Sequence, residues 1–383
     1  MKSRMGWLWF CSSAGAALVI CAAGAGCEEF DEERAAGAAR QVLSASLSSP
    51  EGRIRGMAIE SMMQLGSVLP DDALVGLAND PDPRVKMMAV VALGGARNRR
   101  HVLIFRERFG DADVNVRLAA AYSLARSGDM SHMMALRDGL MNREATVRRN
   151  AAYLLGLLGE PSAAGMLKSG LTDGDALVAL RSAEAMHRLG DHSGIPVVRH
   201  LTGHPSHQVQ YEAVRILGGM GQTVEMTRLR RLANSPHLDV RFAAICGMAK
   251  LGDFSRMQIL LEVLALDTVN PRTRSRLAKK LGVDVSALER TETDTRAMAA
   301  LELAETGYTP ALPDLARLLG SRQPLVRLAG AVAILKIHSS GEAWRQRARA
   351  VEAEKDGSTG SGTVPKPKKA PQTNTPTTAK PAN

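Results

Sequence analysis

Aromatic residues are scarce in this sequence and make up only 3% of its 383 positions. Because 45% of the residues are still hydrophobic, the core must be built mainly from Ala, Leu, Val, Ile and Met. Side chains of this kind favour helices that pack closely over small residues. The composition therefore points to a helical protein, which at this length can form a few ordinary domains or one elongated repeat array.

Cysteine is also scarce. Cys11, Cys21 and Cys27 all lie close to the N-terminus, which leaves Cys246 alone in the rest of the chain. A single thiol cannot form a disulfide framework, and no C-x-x-C or paired Cys/His spacing suggests zinc. We therefore expect Cys246 to behave as a small, buried or half-buried hydrophobic residue.

Motifs for catalysis and cofactor binding are missing. The sequence contains no G-x-S-x-G nucleophile motif and no phosphate-binding Walker loop. His200 and His204 have the i, i+4 spacing that can share a metal, but no carboxylate or cysteine joins them at ligand spacing. The sequence therefore predicts a non-catalytic protein, without a resident metal or cofactor and without a small-molecule substrate.

Acidic residues are outnumbered: 49 Lys and Arg face 39 Asp and Glu, for a net charge of +10. Such a balance is compatible with a nucleic-acid or anionic-membrane partner. Basic residues, however, also recur at one structural position of the repeat described below and again in the C-terminal tail. We favour this structural origin of the charge and expect no nucleic-acid partner.

The first residues have the form of a targeting segment. Lys2 and Arg4 precede the uncharged run GWLWFCSSAGAALVICAAGAG, which ends just before Cys27. The stretch Gly24–Cys27 resembles a bacterial lipoprotein cleavage box. The resemblance implies a signal peptide over 1–26, a lipidated Cys27, a short linker over 27–33, and an envelope protein anchored in the outer membrane and facing the periplasm. Ordinary signal-peptidase cleavage, giving a periplasmic or secreted protein, and an uncleaved anchor are the alternatives.

The dominant feature of the chain is a phrase that returns with a constant 31-residue period. It reads VRLAAAYSLARSGD from Val116 and VRRNAAYLLGLLGE from Val147. A catalytic motif usually occurs once, so a phrase repeated down the chain indicates architecture. Seven anchor positions keep this period and two more resume it later: Ile54, Val85, Val116, Val147, Val178, Val209 and Val240, then Thr295 and Val326.

The spacing inside each phrase is that of a helix. In an α-helix each residue is rotated by about 100° from the one before it. Residues four, eight and eleven positions after each anchor therefore lie on the same side of the helix as the anchor and form one apolar face. A glycine usually follows at position twelve, where a left-handed residue can end the helix. N-cap residues precede four of the anchors: Asp82, Asp113, Asp175 and Ser206. A second apolar stretch precedes the caps, so the sequence predicts an α-solenoid (superhelix) of about nine to ten two-helix repeats over 34–340.

This pattern resembles the HEAT-type repeat family, in its short phycobilisome-lyase-like form, as Asp111–Asp129 illustrates. The resemblance implies that an inter-helix Asp and the Arg after the anchor brace adjacent turns. Matching acids stand at Asp80, Asp111 and Asp173, whereas Ser235 and Ser321 depart from the pattern and predict weaker bracing there.

Some enzymes share this type of repeat, so an enzyme or accessory protein of the bilin lyase or deoxyhypusine hydroxylase group is the alternative function. The hydroxylase resemblance requires His-Glu pairs for a di-iron site. Each of the nine histidines is followed by a residue other than Glu, which disfavours that alternative. No residue set can be carried over from the bilin lyases.

The 31-residue period is interrupted once, and the repeat pattern ends near the C-terminus. The interval from Val240 to Thr295 is longer than one period and shorter than two, and we interpret 270–295 as an irregular, weak repeat copy with a kink in the solenoid. A C-terminal capping helix is predicted over 341–356, followed by a disordered Pro/Thr/Lys-rich tail over 357–383.

The side of the second helices opposite the core is expected to form the concave face of the solenoid. Three of the four tyrosines in the chain fall on this stripe, beside arginines, as at protein-binding surfaces. We therefore predict an envelope-anchored scaffold or adaptor that binds a partner protein or peptide there. The predicted contact residues are Leu118, Tyr122, Arg149, Tyr153, Leu180, Glu184, Tyr211, Arg215 and Phe242. Lateral burial of these side chains by neighbouring second helices is the alternative.

Overall fold

The computed structural model describes residues 30–66, 71–95 and 99–355, and within these ranges all regular secondary structure is helical. The α-helices, in chain order, are α1 (Glu32–Ser46), α2 (Gly52–Gln64), α3 (Asp71–Leu77), α4 (Pro83–Gly95), α5 (Val102–Arg108), α6 (Val114–Arg126), α7 (Met133–Gly139), α8 (Ala145–Leu158), α9 (Ala163–Leu167), α10 (Ala176–Arg188), α11 (Ile195–Leu201), α12 (His207–Gly219), α13 (Met226–Leu232), α14 (Leu238–Lys250), α15 (Met257–Leu264), α16 (Pro271–Leu281), α17 (Val285–Arg290), α18 (Glu292–Ala304), α19 (Leu312–Leu318) and α20 (Pro324–Lys355).

The described helices form two layers. Most outer helices are short, and each is followed by a longer inner helix that carries one anchor of the repeat. Inner helices pack side by side in chain order, as α4 does on α6 and α12 does on α14. The predicted α-solenoid is confirmed. Its inner layer consists of α2, α4, α6, α8, α10, α12, α14, α18 and α20.

Local sequence signals start and stop the inner helices as predicted. The carboxylate of Asp113 accepts hydrogen bonds from the amides of Asn115 and Val116, which caps α6. Ser206 is an exception, because its side chain makes no capping hydrogen bond to α12. At the other ends, the predicted glycines have positive φ angles, the conformation that glycine adopts without steric cost: Gly66, Gly128, Gly159, Gly190, Gly221, Gly252 and Gly307.

The residue after the anchor clamps two successive turns. Arg148 Nη1 donates to the carbonyl oxygens of Asn142 and Arg143 in its own turn. Its Nε and Nη2 donate to the two carboxylate oxygens of Asp173 at 2.7 and 2.8 Å in the next turn. Such a bidentate pair is both stronger and more directional than a single hydrogen bond. The same brace recurs in the pair Arg55–Asp80, and Lys86 makes a single bond of 3.0 Å to Asp111, so both pairs join successive turns as the resemblance implied.

Small residues allow adjacent inner helices to approach closely. A Cβ atom at Gly156 of α8 would lie 2.7 Å from Cβ of Ala185 in α10. A Cβ atom at Gly218 of α12 would lie 2.7 Å from Cα of Gly247 in α14. Both distances are shorter than van der Waals contact, so these positions tolerate no larger side chain at the observed helix spacing.

The two ends of the array meet. The last inner helix, α20, packs against both helices of the first hairpin, α1 and α2. Lys336 Nζ donates to Gln64 Oε1 at 2.6 Å, and His338 Nδ1 lies 2.9 Å from Glu32 Oε1. The solenoid is therefore closed into a ring, and the inner faces of its helices turn toward one another instead of lining an open groove.

The irregular stretch, predicted as a weak repeat copy, adds two helices outside the inner layer, α16 and α17, which we name the insertion. Helices α14 and α18 pack directly against each other, and the outer helix α15 packs against α18. The pair α16 and α17 thus takes no place in the inner layer. The interval from Val240 to Thr295 therefore holds one regular period, to which α16 and α17 are added.

At the C-terminal end, α20 runs without a break from Pro324 to Lys355, so the capping helix predicted over 341–356 is not a separate helix. The predicted signal peptide, Cys27 and the tail over 357–383 lie outside the described residues, so the predictions on them stay predictions. No helix within the described ranges combines the length and the apolar character needed to span a bilayer.

Candidate partner-binding site

The nine predicted contact residues divide into a buried and a half-buried group. Tyr122 is only 3% exposed, and Leu118, Leu180 and Phe242 are buried to the same degree or more. Leu118 shows the physical reason. If Gly139 of the outer helix α7 had a Cβ atom, that atom would lie 2.9 Å from Cδ2 of Leu118, so Leu118 fills the space under this outer helix. The prediction of an accessible surface is wrong for these four, and burial by neighbouring helices holds instead. The half-buried group is Arg149, Tyr153, Glu184, Tyr211 and Arg215.

A cluster of ion pairs joins α10 and α12 around Glu184. Arg181 Nη1 lies 2.6 Å from Glu184 Oε2, and Arg188 Nη2 lies 3.1 Å from Oε1. Arg215 of α12 approaches the same Oε1 at 3.7 Å. Burial by itself would raise the pKa of Glu184, but the three arginines together hold it below its usual value. Glu184 is therefore a half-buried anion that ties two repeats together.

Tyr153 and Arg215 extend this cluster. The guanidinium carbon of Arg181 lies 5.6 Å from the centre of the Tyr153 ring, within cation–π range. Burial raises the pKa of Tyr153 to about 12, with a smaller contribution from the Glu60 carboxylate. Arg215 also pairs with Glu212 at 2.9 Å, and the surrounding carboxylates raise its pKa although burial opposes this.

Tyr211 makes a contact that the sequence analysis missed. Its hydroxyl donates to Oε1 of Glu302 in α18 at 2.9 Å. Glu302 is 5% exposed, and burial raises its pKa against the opposing effects of Tyr211, Lys250 and Arg215. A signal for this residue exists in the repeat: the seventh position after the anchor is small or aliphatic in the other anchored repeats, for example Ser123, Ala185 and Gly247, and charged only at Glu302.

Arg149 differs from the other half-buried residues because its side chain forms no hydrogen bond or ion pair with any residue in the described ranges. It borders a recess of about 40 Å3, which has room for a few waters or one small polar group. We name this the Arg149 recess. Its wall consists of Arg149, Leu177, Leu180, Arg181, Gln208, Glu212 and Ile216.

The side chains with potential for metal or redox chemistry are used structurally. His204 Nδ1 accepts from the amide of Ser206 at 3.1 Å, which matches the role of the Asp residues at this turn in other repeats. Cys246 is buried as a free thiol, as predicted, and burial raises its pKa. Among the described residues, no three His, Cys, Asp or Glu side chains are placed to hold a metal ion.

Solved structures of known proteins match about three quarters of this chain at low sequence identity. Human deoxyhypusine hydroxylase in complex with glycerol matches with 18% identity over 74% of this chain and 98% of its own, at a TM-score of 0.32. A phycocyanin lyase complex from Nostoc matches with 17% identity over 74% of this chain and 95% of its own, at a TM-score of 0.33. No curated protein sequence matches significantly.

The family model for HEAT repeats matches residues 70–145, 133–209 and 199–282, which together exceed half of the chain. These ranges contain the helices α3 to α16, with their clamping arginines and left-handed glycines. The chain belongs to the HEAT-repeat family.

Proposed function

We propose that this protein is a non-catalytic scaffold or adaptor of the bacterial cell envelope, which binds a partner protein or peptide at the Arg149 recess. Solenoid repeats commonly serve as extended binding surfaces for other macromolecules. The observation that carries the proposal is the unpaired, half-buried guanidinium of Arg149 in a recess that Leu177 and Ile216 also line.

The chemistry of the recess defines what it accepts. The guanidinium of Arg149 can form two parallel hydrogen bonds with a carboxylate. Leu177 and Ile216 supply apolar contact beside it. The recess therefore accepts one carboxylate of a partner segment, whose neighbouring apolar side chain lies outside the recess against Leu177, with Tyr153, Glu184 and Arg215 as the adjacent half-buried residues. The buried residues Leu118, Tyr122 and Phe242 are excluded from direct contact, and Leu180 is 1% exposed although it lines the recess.

The binding test compares two arginines of the same hairpin. The full chain is used to capture partners from detergent-solubilised membranes. The captured partners are identified by mass spectrometry and then purified. Binding to the wild type, Arg149→Glu and Arg143→Glu is then measured by calorimetry. We expect about tenfold or greater weakening in Arg149→Glu because a like charge replaces the partner of a carboxylate. Arg143 is exposed and unpaired among the described residues, so its variant controls for net charge. Equal affinity of the three proteins contradicts the proposed site.

Anchoring is tested separately. If Cys27 is lipidated, the wild-type chain incorporates radiolabelled palmitate in a Gram-negative host and sediments with membranes. Cys27→Ser is then unlabelled and found in the soluble fraction. An unlabelled wild type contradicts the lipid anchor and favours ordinary secretion or an uncleaved segment. Iron or a covalent pigment in the purified wild type would instead support the alternative function in the bilin lyase or hydroxylase group.

A further inference from the structure

The inserted helices α16 and α17 are tied to the outside of the ring by hydrogen bonds and ion pairs. Arg241 stands at the position where other repeats clamp an Asp, but here its Nη1 donates to the carbonyl oxygen of Leu281 in α16 at 2.8 Å. Arg274 of α16 donates to the carbonyl oxygen of Leu266 at 2.9 Å. It also pairs with Glu289 and Glu292 at 3.3 and 3.4 Å. Because both ends of α16 are tied to the solenoid, the surface beside it is preformed.

A cleft of about 650 Å3 separates α16 from the outer helices α15 and α19. This volume lies in the range of typical binding sites, about 300 to 1,000 Å3. Its apolar lining consists of Leu261, Ala265, Val269 and Leu277. The polar lining consists of Gln258, Glu262, Thr273, Arg276, Lys280 and Asp314.

The acidic side chains of this cleft are paired with basic ones, whereas three basic side chains of α16 have no partner in the part of the chain that the structure describes. Glu262 is neutralised by Lys280, whose Nζ lies 2.9 Å from both carboxylate oxygens. Asp314 is paired with Arg317. In contrast, three exposed cations of α16 have no hydrogen-bonding or ionic partner among the described residues: Arg272, Arg276 and Lys279.

These three cations lie on one face of α16. Their separations of four and three residues place them along a single stripe of a helix. The opposite face carries Leu277, Ala278 and Leu281, which are buried. The cleft therefore has an apolar floor, and of the three cations Arg276 lines it while Arg272 and Lys279 continue the stripe beside it. We name these three residues the basic edge (Arg272, Arg276 and Lys279).

We propose that the cleft between α15, α16 and α19 docks an acidic amphipathic segment of a partner protein. Apolar side chains of the segment bind on Leu261, Ala265 and Val269, and its carboxylates pair with the basic edge. Charge complementarity determines this choice, since Glu262 and Asp314 of the cleft are already paired, whereas Arg276 in its lining and Arg272 and Lys279 beside it are not. The site lies on different helices from the Arg149 recess and does not depend on it.

The test uses synthetic peptides with the full chain. The first is a fluorescein-labelled peptide with Leu and Glu at amphipathic helical spacing. The second has the same composition in scrambled order, and an oligothymidylate serves as a plain polyanion. Binding is followed by fluorescence anisotropy at low and physiological salt. We expect the amphipathic peptide to bind the wild type, with an affinity that falls as salt rises.

Three variants locate the site. Arg276→Glu with Lys279→Glu should weaken binding about tenfold or more, because like charges then face the peptide. Ala265→Trp, which fills the cleft, should do the same, with the circular dichroism spectrum as the check on folding. Arg53→Glu with Arg143→Glu makes an equal charge change at exposed, unpaired arginines elsewhere and should leave binding unchanged.

Two results overturn the proposal. The first is the absence of binding by the amphipathic acidic peptide, or binding that the Arg276→Glu/Lys279→Glu variant leaves intact. The second is equally tight binding of the scrambled peptide or the oligothymidylate together with no effect of Ala265→Trp. That outcome identifies the basic edge as a general polyanion surface instead.

Discussion

The hydroxyl of Tyr211 donates a 2.9 Å hydrogen bond to the carboxylate of Glu302, which lies 91 residues further along the chain. Tyr211 belongs to α12 and Glu302 to α18, and these helices are separated in the inner layer by α14. The bond therefore skips a repeat and crosses the inner side of the ring. In an extended solenoid each repeat contacts only its neighbours, so this pair shows that the inner face is tightly curved, in keeping with the packing of α20 on α1 and α2.

Replacing Glu302 should change how stability depends on pH. Because burial raises its pKa above the usual 4.5, the folded chain keeps this proton to higher pH than the unfolded chain does. The carboxyl therefore stabilises the fold at low pH and loses this contribution as pH rises through the folded pKa. Glu302→Gln cannot ionise, so its free energy of unfolding relative to wild type should be higher at pH 8 than at pH 4. Urea unfolding at the two pH values measures this difference, and a constant or reversed difference contradicts the assignment.

Tyr211→Phe probes the other side of the same bond. Removing the hydroxyl leaves a buried carboxylate without this donor, at a cost of about 1–3 kcal/mol in the free energy of unfolding. The loss should be much smaller in a Glu302→Met background, which has no oxygen to accept the bond, and a double-mutant cycle with urea unfolding detects this. Additive effects would show that the two side chains are not coupled.

Two neighbouring glycines of α12 should respond in opposite directions. Gly218→Val places a side chain against the backbone of Gly247, so we expect a loss of about 1–3 kcal/mol or more. Gly219→Ala meets no atom within 4 Å and replaces an exposed helical glycine, so we expect a gain of about 0.5–1 kcal/mol. Thermal unfolding of the two single variants compares them directly. A neutral Gly218→Val would mean that the inner helices are farther apart than described.

The clamp between repeats should be sensitive to acid. The Arg148 guanidinium lowers the pKa of Asp173, with a further contribution from the amide of Asp175 and burial opposing both. The stabilisation is thus present above the unfolded pKa of about 3.9 and lost as pH falls through the folded value. Asp173→Asn should cost about 1 kcal/mol at pH 7 and less below pH 4, as measured by urea unfolding. The exposed Asp72→Asn is the control, and an equal loss in both variants would rule out the clamp.

A substitution in the first helix, α1, should open the ring. Ala36 of α1 is fully buried, and α1 packs along α20. Ala36→Trp should force these helices apart and raise the radius of gyration measured by small-angle X-ray scattering. The exposed Ala112→Trp should leave it unchanged. Identical scattering from the two variants would contradict closure through α1 and α20.

The repeat unit was predictable because its determinants are local. The clamp of Arg148 and the cap at Asp113 involve backbone groups within six residues, and the left-handed glycines end their own helices. Burial of the anchors follows from one apolar stripe per helix, with Val147 as an example. The 31-residue period alone therefore specified helix, turn and core positions.

The candidate surface was less predictable, because a position within one repeat does not show what faces it across the ring. Tyr122 and Tyr153 occupy the same position in adjacent repeats, yet the first is buried and the second half-buried. Glu302 is conspicuous in the sequence as a charge at an otherwise uncharged position, but its partner Tyr211 could not be found from spacing. Likewise, polar residues over 270–290 suggested a degraded repeat, whereas packing of α14 on α18 leaves them outside the inner layer.

The sequence by itself determined the repeat, its helices and its core stripe, since these depend on contacts within a hairpin and on hydrogen bonds between successive turns. Only the tertiary structure decided that the array closes. Closure depends on the small rotation between repeats summed over the whole array, and it brings together residues as far apart as Glu32 and His338. No single repeat carries enough information to specify that sum, so the accessible surface of this protein is a property of the assembled ring.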